Sequence, residues 1–413
     1  MMKAPHSHSY PLLSALLFFF FVTWSSSGSL LSIWLHQEVG LKAGDTGIIY
    51  AVLSVSALFA QVCYGFIQDK LGLRKHLLWY ITALLILSGP AYLLFGHLLK
   101  INVLLGSIFG GIYIGLTFNG GIGVLESYTE RVARQSQFEF GRARMWGSLG
   151  WAVATFFAGL LFNINPQLNF LVASCSGLVF FILLARLRVS SAPHAMQEAV
   201  SGGKVTLEDA LRLLTLPRFW ALVFFVIGTC IYGVYDQQFP VYFSSQFATL
   251  QEGNEMYGYL NSFQVFLEAA GMFCAPWLVN CIGSKNGLIF AGMVMAMRMV
   301  ASGLVEGPLL ISITKLLHAV ELPILLVAIF KYNSLNFDKR LSSTLYLVGF
   351  ACTSSIIASV LSPLAGYSYE KYGFAQSYLI MGLLVFCTTF ISIFLLRSGK
   401  SSADPLVSQP TAI

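Results

Sequence analysis

The sequence predicts an all-α polytopic membrane protein, with twelve transmembrane helices in two pseudo-symmetric six-helix bundles. Hydrophobic residues make up 56% of the 413 residues and charged residues only 10%, with a mean hydropathy of +0.74. A soluble domain carries roughly 25% charged residues, so this composition excludes one. The length leaves room for about twelve membrane-crossing helices of roughly 20 residues each. A polar stretch near the middle of the chain divides these helices into two halves.

The predicted crossings are apolar segments of membrane-spanning length, separated by short polar connections. The first is longer than the core of a signal peptide and no clear cleavage site follows it, so we expect it to be retained. The seven cysteines lie in or beside these segments without metal-ligand spacing, which indicates packing residues. The predicted crossings are 11–36, 45–69, 76–98, 102–127, 142–163, 168–188, 218–246, 256–280, 286–304, 308–331, 341–366 and 374–397.

The domain division follows from the stretch between the sixth and seventh crossings. This stretch is polar, contains Ser201–Lys204 and then a short amphipathic run, and is predicted to be a cytoplasmic linker. The predicted units are an N-terminal six-helix bundle (1–188), the linker (189–217), a C-terminal six-helix bundle (218–400) and a cytoplasmic tail (401–413).

The two halves repeat one feature of sequence. Gly65–Lys75 joins the second and third crossings, and Pro276–Asn286 joins the eighth and ninth at the corresponding place. Two parallel halves related by an axis along the membrane normal, with the binding site between them, are typical of transporters.

Lysine and arginine are distributed unequally between the two sets of loops. With the N terminus inside, the external loops hold only Lys42, Lys100 and Lys371, while most of the 24 basic residues lie in cytoplasmic segments. This asymmetry predicts that both termini are cytoplasmic. The net charge of +6 is explained by the same basic loops, so we expect no nucleic-acid partner.

Charged residues inside the predicted crossings point to a functional site. Lys315, His318 and Glu321 are spaced three apart in the tenth crossing, so a helix places them on one side. A charge at membrane depth costs a few kcal/mol, and a buried carboxylate avoids this cost by taking up a proton. We therefore predict that Glu321 carries a proton. Arg298, the second intramembrane cation, would expel that proton on approaching Glu321. The alternative is a static buried ion pair.

Several segments resemble a known family. Gly65–Lys75 matches the Gly-x-x-x-Asp-Lys-x-Gly-x-Arg-Lys signature of the major facilitator superfamily. Asp69–Lys75, Phe138–Met145, Asp236–Phe239 and Lys315–Pro323 resemble its oligosaccharide:proton symporters, the family of lactose, melibiose, sucrose and raffinose permeases. The resemblance covers essentially the whole chain and weakens in the linker and the tail. It implies the major facilitator fold and a bacterial inner-membrane location.

The resemblance also implies roles for individual residues. Glu126 and Arg144 would bind sugar hydroxyls, and Trp151 would stack on a pyranose ring; the alternatives are an interfacial ion pair and an ordinary packing tryptophan. Glu321, Arg298 and His318 would form the proton-coupling group, although a lone histidine often only hydrogen-bonds a hydroxyl. Tyr232, Glu268 and His318 complete the predicted substrate-binding set. The predicted conformational loop comprises Gly65, Asp69, Lys70, Gly72 and Arg74.

The chain departs from the family pattern at two places. Lactose permease has two charge pairs between the seventh crossing and the tenth and eleventh. This chain keeps Asp236 with Lys315 as a structural charge pair and has Gly233 and Ser354 at the positions of the other. Losing both partners together is coherent, because a lone survivor would be an uncompensated buried charge. The family glutamate of the eighth crossing falls at Val265, and Glu268 lies one turn further on.

The sequence therefore predicts proton-coupled import of a disaccharide by alternating access. A galactoside such as melibiose or lactose ranks first as substrate, then sucrose or raffinose. The alternatives are a sodium-coupled carrier, a facilitator, or a membrane sensor that binds sugar without moving it. No zinc-ligand motif, nucleophile elbow or phosphate loop appears, so no enzyme is predicted. We expect no metal, no cofactor other than the coupling proton, and a monomer surrounded by lipid.

Overall fold

The structure is a computed structural model that describes residues 9–136, 138–188, 213–337 and 345–398. The side chains of residues 69 and 346–348 are not described. Within these ranges, eleven helices are long and apolar enough to cross a membrane. His76–Ile86 and Ser88–Ile101, bent by 59°, form one more crossing when counted as a pair. The predicted twelve helical crossings are confirmed. Most of the predicted linker and all of the predicted tail lie outside the described residues.

The N-terminal half contains spans 1 to 6, of which three are composed of consecutive helical pieces. Span 4 includes a π-helical turn, Gly115–Gly120. The spans are, in order, Ser9–Gly28 with Leu31–Gln37; Ala43–Leu71; His76–Ile86 with Ser88–Ile101; Val103–Ile114 with Gly115–Gly120 and Gly121–Ser136; Phe140–Ile164; and Gln167–Arg186.

The C-terminal half contains spans 7 to 12, again with three composed of consecutive pieces. Span 11 begins with a π-helical stretch, Leu345–Cys352. The spans are, in order, Pro217–Thr229 with Ile231–Ser244; Leu250–Ile282; Ser284–Leu304; Pro308–Leu316 with His318–Asn336; Leu345–Cys352 with Thr353–Tyr372; and Phe374–Leu395.

Several helices extend past the apolar segments from which they were predicted. Span 8 begins at Leu250 rather than at residue 256, because the side chain of Thr249 accepts a hydrogen bond from the backbone N–H of Glu252 and caps the helix. Span 11 continues to Tyr372 rather than to residue 366 and ends at Gly373, whose φ is +81°. Helix ends are fixed by capping groups, whereas hydropathy marks only the part inside the hydrocarbon.

The two repeated loops end their helices in the same way. Span 2 is followed by Gly72 with φ +60°, and span 8 by Gly283 with φ +86°. Both glycines occupy the left-handed region, which side chains disfavour. The similar loop sequences therefore place a glycine with positive φ directly after the helix in each half, although the ψ angles differ.

The two halves are in contact at one side of the bundle. We call this the distal side: it carries the loops after spans 1, 3, 5, 7, 9 and 11. The first and last described residues, Ser9 and Ser398, lie on the opposite side. On the distal side, span 2 packs on span 11, and span 5 on span 8. A Cβ atom at Gly47 would clash with the carbonyl oxygen of Ser362, and one at Gly159 with that of Asn254. Only glycine allows the helix backbones of the two halves to approach this closely. Because the halves are in contact here, the distal side is closed.

Candidate functional site

Breaks in spans 7 and 10 position the charged side chains. Each span contains a proline, which cannot donate to the carbonyl four residues earlier and bends the helix. For Pro240 this carbonyl belongs to Asp236, and for Pro323 it belongs to Ala319. A Cβ atom at Gly271 of span 8 would lie 2.6 Å from the Ala319 carbonyl oxygen, so the two backbones approach closely. The sequence thus places its buried charges next to local irregularities of the helix.

Five ionisable side chains from spans 7, 9 and 10 meet in one cluster. Arg298 donates from Nη1 and Nη2 to the two carboxylate oxygens of Asp236 at 3.0 and 3.2 Å. Its Nη2 also lies 2.7 Å from Oε1 of Glu321. Lys315 Nζ donates to Asp236 Oδ1 at 2.7 Å. His318 Nδ1 lies 2.9 Å from Glu321 Oε1 and 3.7 Å from Asp236 Oδ2. Arg298 therefore joins two groups that the sequence analysis kept apart.

The cluster is buried and balanced in charge. The side chains of Arg298 and Glu321 are 0% exposed, that of Lys315 is 4% exposed and that of Asp236 is 21% exposed. Two cations face two carboxylates, so the cluster is neutral when His318 is neutral, and pairing offsets the cost of burying the charges. Adding a proton to Glu321 would leave an excess positive charge.

Two atoms at the centre of the cluster have capacity left for another bond. Oε2 of Glu321 and Nε of Arg298 are buried and have no hydrogen-bond partner among the described residues. A buried polar atom without a partner is costly, so such atoms often mark a functional site. Oε2 of Glu321 is the atom at which a proton can be held without first breaking a bond in this arrangement.

Aromatic rings hold the two cations in place. The Arg298 guanidinium carbon lies 4.6 Å from the ring centroid of Tyr235, and Lys315 Nζ lies 5.1 Å from that of Phe239. The hydroxyl of Tyr235 is 2.8 Å from Ser302 Oγ, which fixes the ring. Such contacts favour a cation in a dry site.

The N-terminal half brings Glu126, Arg144 and Trp151 to one wall. Arg144 of span 5 forms an ion pair with Glu126 of span 4, and each side chain is about one-third exposed (33% and 32%). The Arg144 guanidinium lies over Phe21 at 4.5 Å, and the Phe21 ring centroid is 6.3 Å from that of Trp151. Trp24 packs edge-on to Trp151 at 5.5 Å. Phe21 and Trp24 were not predicted, since Phe21 is one of four consecutive phenylalanines and neither residue carries a charge that marks a site.

The open face of span 7 lies opposite this wall. Tyr232, Gly233, Asp236 and Gln237 are partly exposed, whereas the intervening residues are buried. A face that carries a carboxylate and an amide is unsuited to lipid and indicates an aqueous cavity. The ring centroid of Tyr232 is 5.7 Å from that of His318. Gln237 was missed by the sequence analysis, although it lies one turn after the predicted Gly233.

Glu268 of span 8 lies between the two halves of the site. It is partly buried, and the charges of His318, Lys315 and Arg144 all act on its carboxylate. The structure thus brings Glu268 near residues of both halves. Val265, where the family glutamate falls, is also partly buried.

The positions of the lost charge pair leave space. A Cβ atom at Gly233 would meet no other described atom within 4 Å. Ser354 is partly exposed on span 11, and its hydroxyl interacts with the thiol of Cys230 beside the break in span 7.

The predicted conformational loop lies only partly in a loop, because span 2 continues to Leu71 and so includes Gly65, Asp69 and Lys70, while Gly72 and Arg74 follow the helix. Gln68 donates from Nε2 to the carbonyl of Gly72 at 2.9 Å, and Lys70 lies over the ring of Phe66 at 5.2 Å. A Cβ atom at Gly65 would have no described neighbour within 4 Å. Arg74 is exposed, and the side chain of Asp69 lies outside the described part.

Lys75 extends this loop in a way that the sequence analysis missed. Its ammonium donates to the carbonyl of Leu184 at 3.1 Å and to that of Leu187, at the end of span 6. Burial lowers the pKa of the Lys75 ammonium. A cation at the carbonyl end of a helix interacts favourably with the helix dipole.

Among the described residues, no three histidine, cysteine, aspartate or glutamate side chains are grouped so as to hold a metal ion.

Comparison with known families gives one match over almost the whole chain. The family model described as LacY proton/sugar symporter matches residues 2–407. The raffinose permease of Escherichia coli is 40% identical over 397 residues, which are 95% of this chain and 93% of the permease. The sucrose permease of the same organism is 38% identical over 98% of this chain and 97% of its own. The lactose permease of Citrobacter freundii is 42% identical over 88% of each chain.

Solved structures with the same fold are more distant in sequence. A mutant of the nucleoside transporter NupG matches with a TM-score of 0.79 at 13% identity, over 94% of this chain and 100% of that one. A D-xylose-proton symporter matches with a TM-score of 0.67 at 15% identity, over 94% and 97%. These similarities confirm the predicted major facilitator fold.

Proposed function

Because the chain belongs to the LacY proton/sugar symporter family, we propose that it carries a disaccharide and a proton together into the bacterial cytoplasm by alternating access. The proposal depends most on one observation, the contact of Arg298 with both Asp236 and Glu321 in a buried cluster. A facilitator has no need for such a group, because it moves sugar without a coupling ion.

The sugar-binding part of the proposal concerns the wall formed by spans 4 and 5. A carboxylate accepts two sugar hydroxyls, and a guanidinium donates to neighbouring oxygens, so Glu126 and Arg144 would bind one edge of a pyranose. Trp151 would pack on the apolar face of that ring. The partial exposure of Glu126 and Arg144 supports this role, because each retains surface for a ligand.

Residues of the C-terminal half would complete the sugar site. Tyr232 and His318 lie beside each other on the inner side of spans 7 and 10. The carboxylate of Glu268 interacts electrostatically with Arg144 of the N-terminal half. We propose that Glu268 accepts a sugar hydroxyl in place of the family glutamate. Through His318, sugar binding would act on Glu321, because the imidazole contacts the Glu321 carboxylate.

Coupling would follow from the charge balance of the cluster. With the distal side closed, Arg298 pairs with Glu321. A proton on Glu321 would leave the cluster with an excess positive charge here, so the proton would be released. With the distal side open, separation of Arg298 from Glu321 would favour protonation of Glu321. One proton crossing ~150 mV supplies about 3.5 kcal/mol. This energy supports a sugar gradient of roughly 300-fold.

The conformational loop would act in the movement between these states. Gly65 has open space around it, and Gly72 has a positive φ directly after span 2. We propose that a set of residues here forms new contacts when the side opposite the distal side closes. The set is Gly65, Asp69, Lys70, Gly72 and Arg74. Asp236 and Lys315 would serve chiefly as a structural pair that keeps the cluster neutral.

The remaining proposals concern substrate and location. A galactoside such as melibiose or lactose ranks first, because Glu126, Arg144 and Trp151 suit a hexopyranosyl ring, and sucrose or raffinose is the alternative. We propose a monomer in the bacterial inner membrane, with both termini, the linker (189–217) and the tail (401–413) in the cytoplasm. The bundles would be residues 1–188 and 218–400. Its sugar would pass through chemically unchanged, without a cofactor.

Uptake by cells that lack other permeases tests the function and ranks the substrates. Labelled melibiose, lactose, sucrose and raffinose are supplied separately, and the pH of a weakly buffered suspension of de-energised cells is recorded. We expect uptake of at least one sugar, with melibiose or lactose highest, and alkalinisation of the medium by that sugar only. Uptake without a pH change would contradict proton coupling, and binding without uptake would indicate a sensor.

A further inference from the structure

Three amide side chains join the two halves of the molecule at the distal side. Gln37 is the last residue of span 1, Asn163 lies in the last turn of span 5, and Asn254 lies in the first turns of span 8. Gln37 Nε2 donates to Asn254 Oδ1 at 3.1 Å, and Asn254 Nδ2 donates back to Gln37 Oε1 at 3.0 Å. This reciprocal amide pair connects residues of opposite halves.

Asn254 uses the full hydrogen-bonding capacity of its side chain. Its Nδ2 also donates to Asn163 Oδ1 at 3.2 Å, and its Oδ1 also accepts from Ser244 Oγ at 3.2 Å. An asparagine amide has two donors and an acceptor oxygen with two lone pairs, and all four sites are occupied here. The residue is 1% exposed. A buried and fully bonded amide is held in one orientation, and it loses partners if any neighbour moves.

Asn163 completes the connection from span 5 to span 8. Its Nδ2 donates to the carbonyl of Gln251 at 2.8 Å and to Glu255 Oε1 at 3.0 Å. The backbone beside this cluster is in direct contact, because a side chain at Gly159 would clash with the carbonyl of Asn254. The amides therefore meet only when spans 5 and 8 are as close as glycine allows.

A second link closes the same side between spans 2 and 11. The Glu370 carboxylate accepts a hydrogen bond from the backbone N–H of Gly44 at 2.6 Å, in the first turn of span 2. This contact is exposed to solvent, so it contributes little compared with the buried amides. Gln238 of span 7 also donates from Nε2 to the carbonyl of Ala43 at 2.9 Å. Distal opening would break all of these links, and the buried amides set most of the cost.

We propose that Gln37, Asn163 and Asn254 form an amide latch that holds the distal side closed and sets the ratio of distal-closed to distal-open molecules. The latch is separate from the sugar and proton groups. It acts by making distal closure more favourable, since its bonds exist only while the halves touch. Breaking it shifts the resting population towards molecules open at the distal side.

Distances between spin labels in the full-length protein test this proposal directly. Labels at Lys100 and Glu306 report on the two halves, since both side chains are exposed, Lys100 in the last turn of span 3 and Glu306 in the loop after span 9, and neither belongs to the latch. Native cysteines are replaced and the protein is placed in lipid nanodiscs without sugar. The variants are Asn254→Leu and Gln37→Leu, which remove the same pair from opposite halves. Gln37 is only partly buried, so its variant also tests the proposal if Asn254→Leu fails to fold.

The matched control is Asn169→Leu. Asn169 is 3% exposed, and its Nδ2 donates to the carbonyl of Ala158 at 2.9 Å within the same half. The Asn169→Leu variant therefore removes a buried amide without breaking a hydrogen bond between the two halves.

We expect the ratio of distal-closed to distal-open molecules to fall about tenfold or more in each latch variant, because two or three hydrogen bonds are lost and each changes an equilibrium by a factor of roughly 2 to 10. The double variant should shift it little further than Asn254→Leu, because both changes remove the same bonds. The control should keep the parent ratio. Unchanged distances in a folded latch variant, or an equal shift in the control, would overturn the latch. Neither result depends on which sugar is carried or on proton coupling.

Discussion

Arg298 and Glu321 lie 2.7 Å apart, on different spans, and neither side chain has any solvent-exposed surface. The pair does not stand alone, because the same guanidinium binds Asp236 with two hydrogen bonds. The position of Arg298 between two carboxylates makes its contact with each dependent on the charge of the other.

Charge balance in this cluster gives the first prediction. Asp236→Asn should reduce stability by about 3 to 5 kcal/mol and abolish transport, because it leaves an excess buried cation. Asp236→Asn combined with Lys315→Met should recover much of the stability, since Arg298 remains paired with Glu321. Thermal unfolding of the purified proteins measures both effects. Equal destabilisation by the single and double variants would show that the balance of charge does not stabilise the cluster.

The absent charge pair gives the second prediction. Gly233→Asp places a third carboxylate in the open space on span 7, three residues before Asp236, whose two cation partners already face two carboxylates, and should lower sugar uptake strongly. Adding Ser354→Lys should restore uptake, because the two new charges can pair across spans 7 and 11. Uptake rates of parent, single and double variants measure this. If the double variant is no better than Gly233→Asp, the two positions do not face each other as a pair.

Trp151 gives the third prediction. Trp151→Leu should weaken sugar binding about 3- to 10-fold, since an aromatic stacking contact is worth about 0.5–1.5 kcal/mol. Trp151→Phe should retain more of the affinity because it keeps an aromatic face. Calorimetry on the purified protein measures the dissociation constants. Trp220→Phe is the control, because Trp220 is 53% exposed on span 7 away from the cavity. An equal loss in the control would assign the effect to general packing.

The sequence predicted the crossings and the charged residues well for one physical reason. A charge within an apolar helix is costly, so Lys315, His318 and Glu321 stood out by type and spacing. The same argument located Arg298, and the separate motifs located Glu126, Arg144 and Trp151.

What the sequence did not predict depends on contacts between helices far apart in the chain. Asp236 and Arg298 share no spacing pattern, so their hydrogen bonds could not be derived from periodicity. Gln37 and Asn254 are neutral and lie near helix ends. Polar residues are common there and their burial in the membrane need not be explained, so nothing in the sequence marked them as functional. Trp24 carries no charge, so its contact with Trp151, far away in the chain, left no signal in the sequence. Several helices extend beyond the predicted apolar segments, because capping groups such as Thr249 determine where a helix ends and do not depend on hydropathy.

The most direct test of proton coupling is the comparison of active accumulation with exchange in Glu321→Gln. Glutamine has the shape of a protonated glutamate but cannot release a proton. The variant should therefore lose uphill accumulation of sugar in energised cells, while equilibrium exchange of labelled for unlabelled sugar across vesicles continues. Parent-level accumulation by Glu321→Gln would contradict the assignment of Glu321 as the proton carrier.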